Sequence, residues 1–196
     1  MTTPMKSSTD PPRIILASGS PRRRELLGKS GLNFDVIPSP AEEIHDTTMA
    51  PGALCEENAR LKAAAVAREN TGAWVIGADT LVFLDDQPLG KPADRREATA
   101  MLTALSGRAH QVRTGVCVID PHGRETTFHE TTRVTFLTLN EAAIHEYHAL
   151  VDPLDKAGAY AIQEHGERII ESIDGPFDNV MGLPVASLLA RLIQTF

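Results

Sequence analysis

The sequence predicts an α/β fold, a mixed sheet flanked by helices. Three observations carry this. Apolar runs at residues 14–17 and 74–77 are too short for anything but buried strands. Stretches of helical period lie between and after them, at residues 51–70 and 94–105. Two long strand-like runs, 111–119 and 125–137, are separated by Pro121-His122-Gly123, which predicts an antiparallel hairpin. A hairpin interrupts the alternation of a doubly wound parallel sheet, so the sheet is mixed.

The elements follow in order. After Ile14-Ile15-Leu16-Ala17 comes Ser18-Gly19-Ser20-Pro21-Arg22-Arg23-Arg24. Ser20 suits an N-cap and Pro21 a first helical position, so a helix starts there and runs through Leu26 and Leu27. Residues 33–37 read as a second strand, stopped by Pro38 and Pro40, and Glu42, Glu43 and Asp46 make an acidic loop. Pro51 opens a long helix to about Asn70, with Leu54, Leu61 and Ala65 on one face. Trp74-Val75-Ile76-Gly77 is a strand, extended chain resumes at residues 81–84, and Asp85-Asp86-Gln87-Pro88 is a turn. Asp94 and Glu97 form a capping box for a helix with Ala98, Met101, Leu102 and Leu105, ended by Gly107. Beyond the hairpin, Asn140 caps a helix through Leu150. Residues 160–163 and 168–173 read as short strands, the charged approach to the second marking an edge. Pro184 begins a last helix with Leu188, Leu189 and Leu192 inward.

The chain of 196 residues is long enough for one substantial core or two closely packed lobes. Its net charge of -7 argues against a broadly basic nucleic-acid surface, though not against a local basic pocket. No apolar run approaches the roughly 20 residues of a membrane span, and residues 1–12 are polar and Pro-rich. They read as a flexible tail before a single catalytic domain, residues 13–196. Cys55 and Cys117 lack partners at metal spacing, which fits a reducing cytoplasm rather than a disulfide framework.

The loop between the first strand and helix is the strongest chemical signal. Helix-terminal N–H groups, the positive end of the dipole and adjacent arginines suit anionic oxygens, phosphates above all. Arg22 and Arg23 can converge on one polyphosphate, while Arg24 points further away, toward solvent. Asp79, in Gly77-Ala78-Asp79-Thr80, stands at the end of an apolar strand, where α/β enzymes place catalytic groups. Lys91 is fixed between Gly90 and Pro92. Each has an ordinary alternative: a solvated basic turn, a turn aspartate, a surface lysine. Lys62, mid-helix, reads on its own as solvent-facing, with Asn58 or Glu69 nearby. Glu42 and Glu43 are on their own solvated loop acids. Together, however, a phosphate loop and separated carboxylates are the minimum for metal-assisted phosphate chemistry.

Other signals fail. His145 and His148 are three apart, not four, so they do not form a zinc-protease helix. No glycine-rich phosphate loop of either common type is present, and Ser106 reads as a helix end.

Taken together, LASGSPRR (residues 16–23), GADT (77–80), GKP (90–92), LSG (105–107), RTGV (113–116), LDKAGAYAIQ (154–163) and NVMGLP (179–184) resemble the Maf family of nucleoside triphosphate pyrophosphatases. The series keeps the family's order over nearly the whole chain after Pro12. The resemblance implies two lobes around a central cleft, a homodimer and a divalent cation, magnesium or manganese. One branch of the family acts on dTTP and UTP and another on 7-methyl-GTP. The positions that sort them correspond to Arg22, Thr80 and Gln163, and this trio resembles the dTTP/UTP branch. Gln163 can both donate and accept, which suits a pyrimidine 2,4-dione edge.

The same resemblance implies roles. Asp79 is the general base and a metal contact, with Glu43 completing the metal site. Lys62 and Lys91 neutralise the leaving pyrophosphate. Ser18, Arg22 and Arg23 grip the triphosphate, and Thr80 and Gln163 read the base. The alternatives are an inosine or xanthosine triphosphate pyrophosphatase and a non-catalytic regulator of cell division acting through a protein partner.

Overall fold

The computed structural model describes residues 12–193. Apart from Pro12, the expected N-terminal tail lies outside them. Strand β1 (Ile14–Leu16) is apolar throughout because it is an inner strand. It lies between β2 (Asp35–Val36) and β3 (Trp74–Leu84), parallel to both. Strand β3 runs antiparallel to β5 (Ala109–Ile119), β5 to β6 (Glu125–Phe136), and β6 to β7 (Ile170–Asp174). The short β4 (Gln87–Leu89) folds back on β3. The result is a mixed seven-stranded sheet in the order β2-β1-β3-β5-β6-β7, with the expected hairpin at its centre.

Strand β3 differs from its reading in the sequence. The two extended pieces around Asp79 are one strand of 11 residues, and Asp79 lies mid-strand opposite Gly115. One edge of β3 pairs with β5 from Val75 to Phe83. The other pairs with β1 at residues 74–76 and with β4 at residues 82–84. Between them, at residues 77–81, no described strand covers that edge. The candidate site forms at this gap.

Side-chain alternation along β3 explains the core. Trp74, Ile76 and Ala78 join Val116, Val118, Leu16 and Leu27 in one apolar cluster. Val82 and Leu84, on the same face, join Val112, Phe136, Leu102 and Tyr147 in another. The two clusters are the expected lobes, and they part at Thr80. On the opposite face, Val75 packs with Ala59, Ala63 and Cys117 under helix α2 (Pro51–Ala67). That helix lies directly on the sheet. A Cβ at Gly77 would sit 2.2 Å from the Ala59 carbonyl oxygen, and one at Gly115 would sit 2.2 Å from the Cys55 carbonyl carbon. Only small side chains fit such a seat. The buried positions of α2 therefore include Cys55, Asn58, Ala59, Ala63 and Val66 beside Leu54, and not Leu61 or Ala65. The helix stops at Ala67, before Asn70, whose side-chain amide donates to the Val66 carbonyl at 2.8 Å.

The caps follow the expected chemistry. In α1 (Pro21–Gly28) Ser20 accepts from the Arg23 N–H at 3.5 Å. In α3 (Arg95–Leu105) Asp94 accepts from the Glu97 N–H at 2.8 Å, and Glu97 reaches back to the Ala93 N–H at 2.6 Å. In α4 (Glu141–Leu150) Asn140 accepts from the Ala143 N–H at 2.9 Å. Helix α6 (Val185–Ile193) follows Pro184 and buries Leu188 and Leu192.

Further corrections have local causes. The tight turn is Asp85-Asp86 alone, both left-handed at φ 51° and 61°, so Gln87 and Pro88 already belong to β4. No strand forms at residues 160–163. The Tyr147 hydroxyl takes the Ala161 N–H at 3.0 Å and donates to the Ala161 carbonyl at 3.2 Å, which uses backbone groups a ladder would need. Strand β2 shrinks to two residues, β7 runs to Asp174 as an edge strand, and a five-residue helix, α5 (Phe177–Met181), is new. Cys55 and Cys117 are both free and buried.

Candidate active site

A cavity of about 770 Å³ opens at the uncovered edge of β3. Five cationic side chains line it (Arg22, Arg23, Lys62, Lys91 and Lys156) with three carboxylates, Glu43, Asp79 and Asp155. A chain of net charge -7 thus concentrates positive charge in one concave place. The size suits a nucleotide-sized ligand.

The centre of the cavity is built by β3 and α2. Asp79 is 3% exposed and points toward α2, the direction opposite to Thr80. Asn58 and Lys62 are four residues apart on α2, so they share a face. Lys62 Nζ donates to Asp79 Oδ1 at 2.6 Å and to Glu43 Oε1 at 2.7 Å. Lys62 is therefore not the solvent-facing residue of its ordinary reading: its side chain is 13% exposed and bridges two carboxylates. The other oxygen, Asp79 Oδ2, accepts from Asn58 Nδ2 at 3.2 Å. Asn58 also grips the acidic loop. Its Oδ1 accepts from the Ile44 N–H at 2.7 Å, and its Nδ2 donates to the Ile44 carbonyl at 3.1 Å. One buried amide thus fixes both the Asp79 carboxylate and the backbone next to Glu43. Beneath Asp79, burial and the nearby carboxylate push the Cys55 thiol up to about 12, so it stays protonated.

The arginine loop meets this centre from the other side. Arg23 Nε donates to the Gly182 carbonyl at 2.8 Å, Nη1 to Ser18 Oγ at 3.4 Å and Nη2 to Thr80 Oγ1 at 3.0 Å. All three acceptors are neutral. Burial draws the Arg23 guanidinium below the ordinary arginine range, against the opposing pull of Asp79 and Glu43. A half-buried cation held by neutral oxygens is an anion site with N–H groups to spare. Arg22 lines the same cavity, and Arg24 is exposed on the outside of α1.

The remaining residues are placed as follows. Lys91 and Gln163 line the cavity and are exposed. Thr80 lines it too, but its hydroxyl is engaged with Arg23 and with Thr114 at 2.9 Å. Ser18 does not line it. It lies behind the loop, where its hydroxyl accepts from the Ser20 N–H at 3.2 Å and from Arg23, so it shapes the loop. Glu42 and Glu43 are both exposed, but only Glu43 lines the cavity.

Two residues, one behind Asp79 and one lining the cavity, escaped the sequence reading. Asn58 carried a usable signal, its i−4 spacing from Lys62. Lys156 stood inside LDKAGAYAIQ without a role. It is buried, and its ammonium meets Asp155 Oδ1 at 2.7 Å, the Asp152 carbonyl at 2.9 Å and Glu164 Oε2 at 3.5 Å. That staples the loop carrying Gln163.

Among the described residues no group of three or more His, Cys, Asp or Glu side chains is arranged to hold a metal. Glu43 and Asp79 are two hard oxygen donors, and magnesium is commonly held by one or two carboxylates with phosphate oxygens and water completing the shell. The donor chemistry therefore fits such an ion arriving with a polyphosphate. No helix among the described residues is long and apolar enough to cross a membrane.

Comparison with known proteins agrees with this architecture. A protein of Akkermansia muciniphila named dTTP/UTP pyrophosphatase is 53% identical over 181 residues, 92% of this chain and 95% of that one. One of the same name from Bacillus velezensis is 48% identical over 92% of this chain and 95% of its own. Among solved structures, the Staphylococcus aureus Ham1 protein shares the fold, with a TM-score of 0.50 and 17% identity over 94% of this chain and all of that one. The family model described as Maf-like protein matches residues 13–195, and the chain belongs to that family.

Proposed function

We propose that this protein is a nucleoside triphosphate pyrophosphatase that hydrolyses dTTP and UTP to the monophosphate and pyrophosphate. The observation that carries the reading is the joining of two halves at one gap in the sheet. A buried carboxylate held by Lys62 and Asn58 faces two arginines of a helix-start loop across one cavity. The near full-length relatives that carry this activity in their names support the substrate class.

In the reaction, water attacks the α-phosphorus. A new P–O bond forms, the bond to the β-phosphoryl bridging oxygen breaks, and pyrophosphate leaves with the electron pair. Asp79 takes the water proton. Each of its oxygens has one protein donor, and each keeps a second lone-pair direction for a water. Arg22 and Arg23 grip the triphosphate. Lys62 and Lys91 offset charge as it moves to the leaving group. Gln163 meets the base, matching with one amide the donor and acceptor pattern of a 2,4-dione. A divalent cation, Mg2+ or Mn2+, held by Glu43 and Asp79, would neutralise phosphate oxygens when bound.

The test is pyrophosphate release from dTTP, UTP, CTP, ITP and 7-methyl-GTP, each with magnesium and with manganese. Preferred turnover of dTTP and UTP is expected. Preference for ITP would favour the inosine/xanthosine class, and no release from any of them would remove the enzymatic reading.

A further inference from the structure

We propose that Thr80 is a positioning residue for Arg23 rather than a reader of the base, and that Thr114 and residues 179–182 complete the seat. The proposal rests on the pyrophosphatase reading above, because it concerns how that site holds a triphosphate.

The direction of the hydrogen bonds carries it. Thr114 Oγ1 lies 2.8 Å from the Asn179 carbonyl oxygen, which can only accept, so the Thr114 hydroxyl proton is committed there. Thr114 Oγ1 then faces Thr80 Oγ1 at 2.9 Å with a lone pair, so the Thr80 proton points to Thr114, the nearer of its two acceptors; the other is the Gly182 carbonyl at 3.5 Å, also inside the seat. The Thr80 oxygen in turn accepts from Arg23 Nη2 at 3.0 Å. The chain therefore runs one way, from the guanidinium through Thr80 and Thr114 to a main-chain carbonyl. The Thr80 hydroxyl has no proton left for a base.

The far end of the chain is firmly anchored. Asn179 is fully buried, and its Nδ2 donates to the Val112 carbonyl and to Thr132 Oγ1, each at 3.0 Å, which ties α5 to β5 and β6. Gly182, at the end of α5, supplies the second acceptor for Arg23 through its carbonyl. Its φ of +113° suits glycine, and a Cβ there would stand 3.3 Å from Arg23 Nε. The NVMGLP motif, which had no assigned role, thus forms a cradle for the arginine of the SPRR motif, 159 residues earlier in the chain.

The consequence separates phosphate grip from base choice. Thr114 is fully buried and does not line the cavity, yet its loss should weaken phosphate binding as the loss of Thr80 does. Tripolyphosphate, which has no base, is the probe, and calorimetry reads its binding without turnover. Thr80→Val and Thr114→Val should each raise its Kd roughly tenfold, the scale of one lost hydrogen bond to a charged group. The double variant should bind little worse than either single one, since one chain is broken twice. Thr80→Ser and Thr114→Ser should bind like the parent. The ratio of kcat/KM for dTTP over CTP should stay within about twofold in all of them. Thermal unfolding identifies a variant that does not fold, in which case Thr80→Val and its serine control carry the test. Parent-like tripolyphosphate binding in the folded valine variants, or a changed base preference with binding intact, overturns the proposal alone. A parent protein that binds no tripolyphosphate overturns the reading beneath it as well.

Discussion

Lys62 on α2 and Asp79 on β3 meet at 2.6 Å, under a carboxylate side chain that is 4% exposed. Removing one member of so buried a pair leaves the other charged and desolvated. Lys62→Met should therefore destabilise the fold by about 3 kcal/mol. Adding Asp79→Asn should recover much of that loss, because no charge is then stranded. Urea unfolding of both single variants and the double variant checks it. A purely additive cycle would show that the pair is not coupled.

Asn58 makes a second, kinetic prediction. Asn58→Asp keeps an acceptor for the Ile44 N–H but replaces the donor to Asp79 Oδ2 with a like charge. Repulsion then displaces the carboxylate that the amide holds, so Asn58→Asp should lower kcat for dTTP at least about tenfold and by more than Asn58→Ala, which removes the donor without adding a charge. Parent-like kcat in a folded Asn58→Asp protein would mean that the amide does not act on Asp79.

A third prediction concerns stability against pH. His110 is 2% exposed, bonded to the Tyr160 hydroxyl at 2.7 Å, and its Nδ1 has no partner. Burial pulls it down from 6.5 to about 4. Between those values the unfolded chain binds the proton and the folded one does not, so stability falls as pH drops from about 6.5 toward 4. The loss approaches about 3 kcal/mol at the lower end. His110→Gln removes this titration. Its unfolding free energy should fall less between pH 7 and pH 5 than the parent's, whatever its value at pH 7. Parallel slopes in parent and variant would contradict the assignment.

The sequence conveyed local structure well where one stretch of chain decides it. Alternation and a Pro-His-Gly turn made the β5–β6 hairpin legible, and Ser20, Asp94 and Asn140 marked helix starts that side-chain hydrogen bonds then fixed. It failed where distant groups compete for the backbone. The strand expected at residues 160–163 gave way to the Tyr147 hydroxyl, and helix α5 is too short to show a period. The site showed the same division. Asp79, Lys62, Glu43 and the arginines were visible as residue types in motifs. Their geometry was not, because it depends on Gly77 and Gly115 letting α2 lie directly on the sheet. That contact turns Lys62 inward, places Asn58 on Asp79 and puts Thr80 on the Arg23 side.

The central claim is that Asp79 takes the proton of the attacking water. Turnover of dTTP by Asp79→Asn with magnesium, measured as pyrophosphate release beside the parent protein, tests it most directly. A positioned base contributes about a hundredfold or more, so the variant should lose at least that much in kcat while remaining folded. A folded Asp79→Asn protein that releases pyrophosphate within about threefold of the parent rate would contradict it, since no general base is worth so little.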